Sequence, residues 1–144
     1  MKSTETIFCE KLLQKNAYRL TPGRIALLTF LKQSKKPLSV QEIYEKIHYP
    51  MNKVTLYRAL EDFSKSKIIT KINLRESAAY YEFLHTDHHH HHIICELCGT
   101  LEDIEHCHQV RLQGDALLHS KSFTRINSHS LEFFGICRVC SSRV

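Results

Sequence analysis

The chain has no apolar run long enough to cross a bilayer as a helix, and its N-terminal stretch lacks the extended apolar segment of a secretory signal. These two absences argue against a membrane protein and against a secreted disulfide scaffold, so a cytoplasmic protein is expected. Six cysteines in such a chain point to metal rather than to three disulfides. The charge is also unevenly spread. Residues 1–84 hold 15 Lys and Arg against 8 Asp and Glu, a net +7, whereas residues 85–144 hold 5 against 7, a net −2. A basic N-terminal half beside a weakly acidic, His- and Cys-rich half suggests a nucleic-acid-binding domain followed by a metal-binding one. A lysine-rich solvated surface accounts equally well for the charge alone.

What the chain does have is paired thiols. Cys95 and Cys98 form one Cys-x2-Cys, and Cys137 and Cys140 form a second near the C-terminus. Each x2 turn aims two thiolates at one ion, and the intervening chain folds back to bring the other pair, so the four make a tetrahedral zinc site. Cys9 and Cys107 stand outside this set. Five consecutive histidines, His88 to His92, precede the first pair. A purification tag would sit at a terminus, whereas this run abuts a ligand pair in mid-chain.

The 144 residues, 42% of them hydrophobic, suffice for one medium domain or two small ones. Apolar spacing predicts a short helix over 6–14. Thr21, followed by Pro22 at the first helical position, starts a second helix, and Ser39 with Glu42 three residues on is a capping box for a third. Asn52 caps a fourth, in which Val54, Tyr57, Ala59, Leu60 and Phe63 are apolar while Lys53, Arg58 and Lys65 carry charge. Two β-like runs, 68–74 and 78–84, flank Arg75-Glu76-Ser77 as a hairpin. Helices followed by a hairpin make a winged helix, whose last helix enters the major groove; an unrelated small α+β domain is the competing reading. Beyond a hinge at 85–87, strands are expected over 90–95 and 100–105 around a knuckle turned at Gly99, with a helix over 110–119 and a β-like run over 124–136. One helix on a small sheet leaves an edge or a face exposed, which suits pairing with a second copy.

Several segments together resemble the ferric uptake regulator superfamily of bacterial metal-dependent repressors. They are Tyr18-Arg19-Leu20-Thr21-Pro22-Gly23-Arg24, Val54-Thr55-Leu56-Tyr57-Arg58-Ala59-Leu60, the His run with Cys95-Glu96-Leu97-Cys98-Gly99, Asn127-Ser128-His129-Ser130 and Gly135-Ile136-Cys137. The resemblance spans about residues 6–140. It implies an α+β chain: an N-terminal winged-helix DNA-binding domain, residues 1–84, and a C-terminal α/β dimerisation domain, residues 85–144, with the four-cysteine zinc site. It also implies a homodimer that binds palindromic double-stranded operator DNA when a regulatory divalent metal, Fe2+ or Zn2+, is loaded. Thr55, Tyr57 and Arg58 match DNA-facing positions beside Lys53, with Tyr57 suited to thymine methyl groups and Arg58 to phosphate. Arg19 matches a basic position that reaches into the minor groove.

The resemblance further assigns Cys95, Cys98, Cys137 and Cys140 to structural zinc, and Glu82, His90, His92 and Asp103 to the regulatory metal. A possible additional site would draw on His89, His91 and His129, with His106, Cys107 or His108 in place of a missing Glu. Pro37 stands where many members carry a His ligand, so Glu82 or His85 is left to supply the hinge-side link. An imidazole-rich ligand set moves the balance from iron toward zinc.

An enzyme is not expected. A zinc deaminase needs Pro before its Cys-x2-Cys, which neither pair has, and four thiolates leave no open position for water. Metal storage leaves the basic half unexplained. Peroxide sensing is an alternative within the family, since its peroxide-responsive members use an Asp at the position of Asp103, although Glu82 replaces their other Asp.

Overall fold

The computed structural model describes residues 2–34, 36–73, 79–85, 90–105, 109–127, 129, 131 to 134 and on to 143. The chain divides into two compact units, Met1–Leu84 and His85–Val144. Among the described residues, no helix is long and apolar enough to cross a membrane.

The first unit comprises α1 (Thr4–Lys15), α2 (Pro22–Gln33), β1 (Leu38–Ser39), α3 (Val40–Lys46), α4 (Lys53–Lys65), β2 (Ile69–Asn73) and β3 (Ala79–Phe83). Local chemistry fixes where each helix begins. Ser3, Thr21, Ser39 and Asn52 are extended residues whose side chains accept from the N–H three positions on, which satisfies a donor that the first turn leaves unpaired. At Ser39 the box is complete, because Glu42 Oε2 accepts from the Ser39 N–H at 2.9 Å. Partial burial works against the Glu42 carboxylate, but hydrogen bonds from the Ser39 backbone and side chain hold it below the usual carboxylate range.

The sheet order is β1-β3-β2, all antiparallel, with Leu38 opposite Tyr81 and Lys71 also opposite Tyr81. The two-residue β1 was not foreseen. The expected hairpin pairs Ile69 with Phe83 through to Asn73 with Ala79, and its proposed turn, Arg75 to Ser77, lies outside the described residues. Leu13, Leu27, Leu28, Leu31, Ile43, Leu56, Leu60, Phe63, Ile69 and Tyr81 form one buried core under the helices and sheet. On α4 the buried positions are Leu56, Ala59, Leu60 and Phe63, a helical stripe that leaves Val54, Tyr57 and Arg58 exposed. Lys71 on β2 donates to Glu61 Oε1 at 2.7 Å and so ties the hairpin to α4. That bond holds the Glu61 carboxyl below its usual range and pushes the Lys71 ammonium above its own.

Phe63 is fully buried in this core and stacks edge-on to Tyr18 at 5.5 Å. Phe63→Ala should therefore destabilise the first unit by roughly 3–5 kcal/mol, a large part of a small domain's stability. Thermal unfolding should show a midpoint lower by at least about 12 °C; a shift within a degree or two would mean that α4 is not anchored through Phe63.

The second unit comprises β4 (His91–Cys95), β5 (Leu101–Ile104), α5 (Gln109–Leu118), β6 (Glu132–Gly135) and α6 (Arg138–Ser141). Its sheet order is β5-β4-β6, with β4 antiparallel to β5 and parallel to β6. Among the described residues of the β-like run expected over 124–136, four form the strand β6, which pairs with His92 through Cys95. Its buried described residues are His91, His92, Ile94 and Cys95, whereas Leu118 and Phe123 are 82% and 74% exposed.

Candidate metal centres and nucleic-acid interface

The two cysteine pairs meet at one end of the second unit. Gly99, with φ 72°, adopts the left-handed conformation that closes the first knuckle, and its N–H bonds the Cys95 carbonyl at 2.9 Å. The second knuckle is α6 itself: Cys137 is its N-cap and the thiol accepts from the Cys140 N–H. Glu96 N–H bonds the Gly135 carbonyl at 2.8 Å and stitches one knuckle to the strand that leads to the other. Sγ atoms of Cys95, Cys98, Cys137 and Cys140 all lie within 4.8 Å of one another, and Cys98 Sγ is 3.7 Å from Cys137 Sγ. Tetrahedral zinc with bonds of about 2.3 Å sets sulfur–sulfur separations of roughly 3.8 Å. The four thiols thus fit a structural zinc ion.

The thiols also differ in acidity. Backbone N–H groups, that of Cys137 foremost, pull Cys95 down to about 6, and Thr100 lowers Cys98. Cys140 is pushed up to about 12, because its thiol proton is shared with the sulfurs of Cys98 and Cys137. The cluster therefore already holds negative charge at neutral pH and retains at least one proton that a cation would displace.

On β4, His92 is buried and stands directly opposite Asp103 of β5, with Nε2 3.5 Å from Oδ1. The His90 ring lies edge-on to that of His92, centroids 5.0 Å apart. Alternation along the strand turns His91 to the other face, where its Nε2 is 3.4 Å from that of His129. Both imidazole groupings arise from the two-residue period of one strand. His89, His106, Cys107 and His108 lie outside the described residues. In the first unit, Glu82 sits half-buried on β3 opposite Thr70, and Pro37 is buried ahead of β1.

Lys53, Thr55, Tyr57 and Arg58 are all exposed on α4, Tyr57 by 50%. Lys53 Nζ donates to Gln41 Oε1 at 3.2 Å and lies 5.2 Å from the Tyr44 ring centroid, so the cation at the start of α4 is steadied by α3. Neither Gln41 nor Tyr44 was expected in this role, since a contact between helices has no signature in local spacing. Arg19 is exposed in the loop between α1 and α2.

A helical unit with a β-hairpin, carrying an exposed basic helix and followed by a sheet with a four-thiol cluster, defines a metal-binding regulator with a winged-helix domain. Residues 15–134 match the model of the ferric uptake regulator family, and the chain belongs to that family. It is 30% identical over 134 residues to the peroxide-responsive repressor of Staphylococcus saprophyticus, covering 91% of this chain and 88% of the relative. To the ferric uptake regulation protein of Bacillus subtilis it is 28% identical over 143 residues, 93% of each. Among solved structures, the Helicobacter pylori ferric uptake regulator, described as having three functional metal-binding sites, is similar with a TM-score of 0.75 at 25% identity, covering 98% of this chain and 97% of that one.

Proposed function

We propose that this chain is a cytoplasmic metal-dependent repressor, acting as a homodimer on palindromic operator DNA. The observation that carries the reading is the exposed stripe of Lys53, Thr55, Tyr57 and Arg58 on a helix whose opposite face is locked into the core. Such a helix presents its cations to phosphate and Tyr57 to base edges without disturbing its own packing. Dimerisation is supported by the small core that the described residues of the second unit form, beside its exposed Leu118 and Phe123. Zinc at the four cysteines is structural. The regulatory metal is held by Glu82, His90, His92 and Asp103, a set that rests on the family resemblance and on the His92–Asp103 pairing. An additional site at His91 and His129, with His89, is supported by the approach of the first two rings.

Arg58→Ala tests the DNA-binding face. Operator affinity should fall, and the slope of log affinity against log salt should flatten by about one unit, as expected for one lost phosphate contact. A variant with lowered thermal stability whose folded fraction binds normally would make Arg58 structural instead.

Peroxide sensing is a second reading, favoured by the peroxide-responsive relatives and by Asp103 facing His92. Fe(II) is oxidisable and Zn(II) is not. Peroxide should then abolish DNA binding by Fe(II)-loaded protein and spare the Zn(II)-loaded form.

A further inference from the structure

We infer that Arg24 and Asp62 form a clamp that fixes the Arg19 loop against the recognition helix, so that Arg24 is a positioning residue for the flank contact made by Arg19. The inference rests on the DNA-binding reading above, together with the family match of the exposed Arg19 to a basic position that reaches into the minor groove, and adds Arg24 and Asp62, which that reading does not use.

Arg24 makes three contacts at once. Its Nη1 donates to the Arg19 carbonyl at 3.4 Å, its Nη2 lies 3.6 Å from Asp62 Oδ2, and its guanidinium sits 5.3 Å from the Tyr18 ring centroid. Tyr18 reaches the same stretch of α4 by a second route: its hydroxyl donates to the Asp62 carbonyl at 2.7 Å and also bonds Ser66 Oγ. Residues on both sides of Arg19 are thus tied down, while Arg19 itself projects into solvent. The loop enters this arrangement through Ala17 at φ 58°, a left-handed conformation that a non-glycine residue holds only when its surroundings enforce it.

Helical geometry says where the clamp lies. Asp62 is four residues beyond Arg58, one turn along the same face of α4 and about 6 Å away. The anchor for Arg19 therefore continues the stripe that begins with Thr55 and Arg58. A guanidinium reaching a groove next to the one read by α4 must be held at a fixed offset from that helix, because a mobile arginine loses side-chain entropy on contact and discriminates less. A direct phosphate contact by Arg24 is the competing role, and it makes a different prediction.

The probe is a duplex selected from a random pool by the metal-loaded wild-type protein, compared with copies whose flanks are changed from A·T to G·C. Wild type should prefer the A·T flanks by on the order of tenfold, the scale of one or two base-pair changes in a site. Arg24→Ala and Arg19→Ala should each erase most of that preference while leaving discrimination at the central positions intact. Adding Arg24→Ala to Arg19→Ala should change affinity by less than about twofold, since coupled residues are not additive. Asp62→Asn, which leaves Arg24 in place, should reproduce the loss and covers the case in which Arg24→Ala folds poorly. Full flank preference in Asp62→Asn, or an equal loss from Arg24→Ala with and without Arg19, overturns the clamp while leaving DNA binding standing. A wild-type protein with no metal-dependent duplex binding removes the functional reading and the clamp together.

Discussion

Cys98→Ser should release zinc and unfold the C-terminal unit. The thiols of Cys95, Cys98, Cys137 and Cys140 come from two knuckles that flank the central strand, and the ion would cross-link Cys95 of β4 to the end of β6. Zinc binding at such sites is coupled to folding with apparent free energies on the order of 10 kcal/mol. The whole stability of a small domain is of similar size, and here the described core of the unit is Ile94, Cys95 and two histidines. Loss of one ligand should thus appear as loss of metal, of dimer and of sheet signal together, by metal analysis, sedimentation and circular dichroism. A Cys98→Ser protein that keeps one tightly bound zinc per chain and remains dimeric would show that the cluster is not the zinc site. Proton release adds an independent check. Cys95, drawn down to about 6, is already largely thiolate at pH 7, whereas Cys140, pushed up to about 12, must give up its proton to the ion. Zinc affinity should accordingly rise with pH, with protons released as the ion binds, a release that proton-uptake measurements in two buffers would read.

Much of this architecture was legible in the residues, for identifiable reasons. Capping chemistry acts over three or four residues, so Thr21-Pro22, Ser39 with Glu42, and Asn52 mark helix starts that the structure bears out. The x2 thiol spacing is equally local. What the residues could not reveal is tertiary. Val54 and Tyr57 are apolar yet exposed, and Leu56 between them is fully buried, because the phase of α4 is set by the sheet and helices it packs on. β1 is two residues long and has no period to detect; it exists through its pairing with β3. The four-residue α6 forms around Cys137 as its cap, just beyond the run read as strand over 124–136, and is too short to show a helical period. Arg24 and Asp62 stand 38 positions apart in the chain, and no spacing rule joins them.

His92→Ala should abolish metal-activated DNA binding. His92 is 5% exposed, faces Asp103 across the β4–β5 ladder, and lies edge-on to His90. Ligands held this way are preorganised by the sheet register, so a cation gains their donor atoms with little ordering cost. Allosteric coupling is typically about 1–3 kcal/mol, roughly 5–150-fold in affinity, and exists only while metal binds the DNA-competent form more tightly than the other. Removing His92 from the proposed set of Glu82, His90, His92 and Asp103 takes away both metal affinity and that difference. Glu82→Ala should behave differently: as the one proposed ligand from the first 84 residues, it should lose activation of DNA binding more than metal binding itself. Imidazole binds a cation only when neutral, so metal affinity should fall as pH is lowered. The measurement is DNA affinity against buffered Fe(II) and Zn(II) for wild type and both variants, with metal affinity recorded alongside. Equal activation in wild type and Glu82→Ala would move the switch wholly into the C-terminal unit, and undiminished activation in His92→Ala would remove the β4 imidazole from it.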